Sequence, residues 1–120
     1  MSKFTPDDTI DALLDKIATA TLQSITSDTS TPTDLTNTIA SVSMASGDYT
    51  IANGDTSGRK VTIAQKTGVS ITLAGTNTAR HVVLSLSGTI LDVTTCVEQP
   101  LTFGGTVTIG SWAHEVADPT

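Results

Sequence analysis

The chain has 120 residues, a formal net charge of −6, and 24 threonines beside two phenylalanines, one tyrosine and one tryptophan. That length suits one domain burying about two thirds of its unfolded surface. Six basic residues against twelve acids argue against a nucleic-acid partner, which demands clustered lysine and arginine, and no apolar run approaches the ~18 residues of a membrane-spanning helix.

The first residues, Met1-Ser2-Lys3-Phe4, hold neither a long apolar core nor a small-residue cleavage site, so no export leader is expected. Thr5 is a good helix cap, Pro6 suits the first helical position, and Asp8 completes a capping box. Ile10, Leu13, Leu14 and Ile17 then recur on one face, continued by Ala18 and Ala20, opposite Asp11, Asp15 and Lys16. The spacing predicts an amphipathic helix over 6–20. A helix of that length is marginal in water, so its stripe must be covered, either by the rest of the chain or by a neighbour.

Residues 26–38 are polar, with one proline and one leucine, and read either as a linker or as a long ordered surface crossing. The domain boundary is placed there: 1–38 as an N-terminal helix and Thr/Ser-rich arm, 39–120 as a β domain.

From Ile39 onward, short segments of branched apolar residues alternate with hydroxyl residues and end at glycine turns. Strands are expected at 39–44, 49–52, 59–64, 69–74, 80–86, 89–97 and 105–111. Alternation turns Val61/Ile63, Val69/Ile71/Leu73 and Val107/Ile109 inward and leaves threonine and serine outward. Val82-Val83-Leu84 breaks the alternation, which marks a central strand or one facing an interface. The polar tail from Ala113 to Thr120 is expected to cover an edge or reach a partner. The fold class is mainly β: an antiparallel β-sandwich, Ig-like or jelly-roll-like, preceded by one N-terminal amphipathic helix.

Residues capable of chemistry are few and scattered. His81 and His114 would need a third ligand such as Glu115 or Asp92, and no short motif joins them. Cys96 is the single cysteine, which rules out an intrachain disulfide, and its strand-like surroundings suit a buried inert thiol. There is no Gly-x-Ser-x-Gly elbow, the stretch 54–58 lacks the acidic positions of a calcium loop, and Gly104-Gly105 has no lysine after it. No catalytic residue, cofactor or metal site is expected. With so little aromatic mass, the core is thin, and burial against identical copies or a larger partner would help to stabilise it. The candidate interface residues are Ile10, Leu13, Leu14 and Ile17 on the helix and Trp112 at the end of the last strand.

Three runs in the later half, Arg80-His81-Val82-Val83-Leu84, Val93-Thr94-Thr95-Cys96 and Trp112-Ala113-His114-Glu115-Val116-Ala117-Asp118-Pro119, together with the acidic helix and the Thr/Ser-rich crossing, resemble small structural proteins from the head gene cluster of tailed bacteriophages. Arg80 departs from that pattern, where threonine is more usual. The likeness spans nearly the whole chain, and its motifs are structural rather than catalytic. It implies a capsid decoration or cement subunit on the outer surface of the virion, made in the host cytoplasm. Such a subunit would be a trimer or another ring and would bind the major capsid protein. A head–tail connector or tail component, and a host-surface or glycan-binding module, are the alternatives.

Overall fold

The computed structural model describes residues 7–55 and 58–116. The expected caps Thr5 and Pro6 lie outside the described residues, as does the end of the polar tail. Helix α1 (Asp7–Ile17) is followed by strands β1 (Leu22–Thr26), β2 (Thr38–Ser43), β3 (Tyr49–Asn53), β4 (Arg59–Ile63) and β5 (Lys66–Ser70). Then come β6 (Thr76–Leu86), β7 (Thr89–Thr102), β8 (Thr106–Ile109) and β9 (Trp112–Val116). All are antiparallel and form sheets ordered β2-β1-β6-β7, β3-β4-β9 and β5-β8. The result is the mainly β packing of sheets behind one helix that two-residue alternation requires.

Helix α1 stops short of Ala20. The Thr19 and Ala20 amides turn to the carbonyls three residues back, and the Thr19 hydroxyl donates to the Lys16 carbonyl at 2.6 Å. A hydroxyl that competes for the last carbonyls tightens the final turn and lets the chain enter β1. The apolar stripe faces the chain's own interior: Ile10, Leu14 and Ile17 are 2%, 0% and 6% exposed.

The apolar interior is two clusters. One joins Ile25, Ile39, Ala40, Val82 and Leu101 of the four-stranded sheet to Val69, Ile71, Val107 and Ile109 around β5 and β8. The other joins Ile10, Leu14 and Ile17 of α1 to Val61 and Ile63 of β4 and Leu84 of β6. The four-stranded sheet runs under both, and Val42 and Trp112 pack against both. The molecule is accordingly elongated, 56 × 28 × 24 Å. Its radius of gyration is 15.5 Å, against about 13–14 Å for a compact chain of this length.

Alternation places Val61, Ile63, Val69, Ile71, Val107 and Ile109 inside as expected, while Leu73 is half-buried. Val82-Val83-Leu84 is buried on both faces because β6 is an interior strand. The β6–β7 hairpin closes on Ser87 (φ 50°) and Gly88 (φ 83°). Two successive left-handed residues are what a tight hairpin turn needs to match the twist of its strands.

Two strands go beyond the sequence reading. β9 occupies the start of the polar tail and covers the β4 edge, one of the two roles expected of that tail. β1 lies N-terminal to Thr38 and is hydrogen-bonded on both sides, to β2 and to β6. Residues on both sides of Thr38 therefore share one sheet and one interior, where a boundary was expected. Of the two readings of the crossing, the ordered one holds. Ser27 N–H donates to the Asn37 carbonyl, Arg80 Nη1 donates to the Ser27 carbonyl at 2.9 Å, and Pro32 is buried.

Packing of α1 within its own chain sets an expectation for urea denaturation. Leu14→Ala should cost about 2–5 kcal/mol, as buried leucine truncations do, at any protein concentration. Leu13→Ala should stay within about 0.5 kcal/mol.

Candidate interaction site

The expected interface residues separate into three kinds. Ile10, Leu14 and Ile17 are enclosed in the second cluster, which corrects the expectation that they face a partner. An eleven-residue helix is unstable alone, and covering its stripe in cis is the shortest way to hold it. Leu13 is at the edge of that stripe and remains 53% exposed. Trp112 is half-buried at the waist between the clusters, where its indole Nε1–H donates to Gln23 Oε1 at 2.8 Å. Gln23, fully buried on β1, also directs its amide at Met44 Sδ.

Trp112 forms one wall of a groove of about 290 Å³ between β7 and β8, whose lining includes Ile25, Val82, Cys96, Val97 and Ile109. A register shift in the β6–β7 ladder shapes its lip. Ala79 pairs with Gln99 and His81 with Thr95, so Cys96-Val97-Glu98 stand against Arg80 alone. Surplus residues on one strand form a bulge, which bends the strand and re-aims its side chains. Here it turns Val97 out to 85% exposure. Val97 was not among the expected interface residues, and Phe103, 59% exposed just beyond β7, joins it at the surface. The sequence suggested a strand over 89–97, but the bulge that exposes Val97 depends on its pairing with β6 and has no local signature.

Burial pushes the Cys96 thiol pKa up, which disfavours the thiolate a nucleophile requires. The structure unites two groups that sequence spacing kept apart: His114 Nδ1 of β9 is 3.0 Å from Asp92 Oδ2 of β7. His81 lies elsewhere, its Nδ1 3.0 Å from the Asp28 carbonyl, where it pins the crossing. Among the described residues, no three of His, Cys, Asp and Glu converge on a point that could hold a metal ion.

Charge elsewhere serves to pin turns. Arg59 bridges Asp11 of α1, Lys60 bridges Asp55, and Arg80 lies 3.7 Å from Glu98. Asp48 accepts from the Ala45 N–H at 2.8 Å and pairs with Lys66 at 3.0 Å, tying the β2–β3 turn to the start of β5. The Ala45 N–H and then Lys66 hold its carboxyl below the usual value of 3.8. Burial and the Asp48 charge push the neighbouring Tyr49 up to about 12. Its hydroxyl donates to the Ala20 carbonyl at 2.8 Å, anchoring the turn after α1 to β3.

Two measurements follow from this geometry. Trp112→Phe keeps most of the ring but strands the buried Gln23 carbonyl, which should cost about 1–3 kcal/mol in chemical denaturation followed by circular dichroism. Asp48 has a depressed folded pKa, so its stabilisation is present above 3.8 and is lost as pH falls through the folded value. Asp48→Asn should therefore be less stable than the parent at neutral pH, and the gap should close on acidification. Comparison with protein-family models, curated proteins and solved structures finds no match to this chain.

Proposed function

We propose that this protein is a structural subunit of a tailed-phage virion, a decoration or cement protein that binds the major capsid protein on the outer face of the head and associates with its own copies. The observation that carries the reading is where the unburied apolar mass lies. Leu13 on α1, Val97 on the β7 bulge and Phe103 in the β7–β8 turn are displayed on separate elements of an elongated body. A subunit that bridges neighbours needs several small contacts rather than one large one, and repetition over a lattice makes weak contacts sufficient. The sequence resemblance and the net charge of −6, which disfavours adhesion to DNA, support the same reading.

A glycan-binding role draws less support. Such a site would use an open aromatic face with a free indole donor, whereas Trp112 is half-buried and its N–H is committed to Gln23. A head–tail connector shares the adhesive chemistry and differs in copy number.

Purified protein added to undecorated heads should bind saturably, with occupancy that scales with capsomer number, as counted by gel densitometry or cryo-electron microscopy. Val97→Asp and Phe103→Asp, both at exposed sites, should leave folding intact and reduce that occupancy at least about tenfold, the equivalent of ~1.4 kcal/mol. Absence of binding by the parent protein would overturn the reading, and a single ring of subunits at one vertex would transfer it to the connector.

A further inference from the structure

The Asp92–His114 pair joins two different sheets. Asp92 lies on β7, the edge of the four-stranded sheet, and His114 on β9, an edge of the three-stranded sheet held in its own ladder by β4 alone. The Asp92 side chain is 9% exposed and that of His114 is 39% exposed, so the carboxylate is enclosed while the imidazole can exchange protons with water. Asp92 Oδ1 also accepts from the Val93 N–H at 3.0 Å.

The surroundings supply few other charges. Opposite Asp92 on β6 is Leu84, and opposite His114 on β4 is Val61. Two residues along β4 on the same face is Arg59, bridged to Asp11 of α1. Lys60 and Glu115, cross-strand partners, alternate to the other face.

A carboxylate enclosed among apolar side chains requires a counter-charge or a proton. The pair satisfies this need when it holds one proton, whether as carboxylate with imidazolium or as carboxylic acid with imidazole. Once that proton leaves, an uncompensated carboxylate faces a neutral ring. We propose that Asp92 and His114 form a proton-dependent latch that fixes β9 against the four-stranded sheet and, through Trp112 at the start of β9, sets the width of the waist groove.

The sign is consistent. Burial raises the Asp92 pKa above 3.8, opposed by His114 and by the Val93 N–H. A raised acid contributes stability when protonated and loses it as pH rises from 3.8 through its folded value. Loss of the shared proton therefore loosens the latch toward alkaline pH.

Amide hydrogen exchange, corrected for the intrinsic rate and referenced to β6, tests the latch on the full chain. Between about pH 5 and pH 8, across the histidine range, β9 amides should lose protection at least about tenfold and Trp112 fluorescence should shift with them. His114→Gln and Asp92→Asn should each abolish that pH dependence, Asp92→Asn by keeping β9 protected at both ends. Flat β9 protection in the parent protein would overturn the proposal even if a variant failed to fold. So would an unchanged pH profile in His114→Gln.

Discussion

The whole body depends on the hydrogen bond between Trp112 and Gln23. The chain has one tryptophan, and it sits where two small apolar clusters meet, with its ring against both and its N–H bonded to a fully buried glutamine. Neither cluster is large. The four-stranded sheet runs beneath both, and the tryptophan lies across the waist between them. The hydrogen bond fixes the ring's orientation because an unmade bond to Gln23 would leave a buried polar group unsatisfied. Its partners are 89 residues apart in sequence, so forming it requires the last described strand and the first to be in place together.

That dependence explains the character of β1. Its sequence, Leu-Gln-Ser-Ile-Thr, would be poor material for a strand with one wet face, yet Gln23, Ser24, Ile25 and Thr26 are all buried. A strand hydrogen-bonded on both edges owes its position to backbone pairing with β2 and β6 and only in part to its side chains. Its glutamine is there for Trp112 and Met44 rather than for solubility. The same logic applies to the crossing at 27–37, which is held by Arg80 and His81 reaching to its first carbonyls.

How much of this could be read from the residues depends on whether a signal was local. Val61/Ile63 and Val107/Ile109 state their faces through period two, and Ile10, Leu14 and Ile17 state a helix through period three to four. The breakdown of alternation at Val82-Val83-Leu84 correctly marked an interior strand. What failed was whatever depended on a distant partner. β1 lacks apolar alternation because its neighbours bury it, and β9 resembles a polar tail because only β4 pairs with it. The helix stripe was legible as apolar, but not that it faces inward. Asp92 and His114 meet only because β7 and β9 pass each other, and Val97 is displayed only because three residues oppose one in the β6–β7 ladder.

That three-against-one mismatch has a consequence for life at high density. β7 has fourteen residues on the rim of its sheet, rich in threonine and free of lysine, the kind of flat border along which identical chains stack without limit. Puckering the backbone at Cys96-Val97-Glu98 breaks the repeat of donors and acceptors midway, so an incoming strand finds no continuous template. A border interrupted in this way is a poor seed for the fibres that an unbroken one would start.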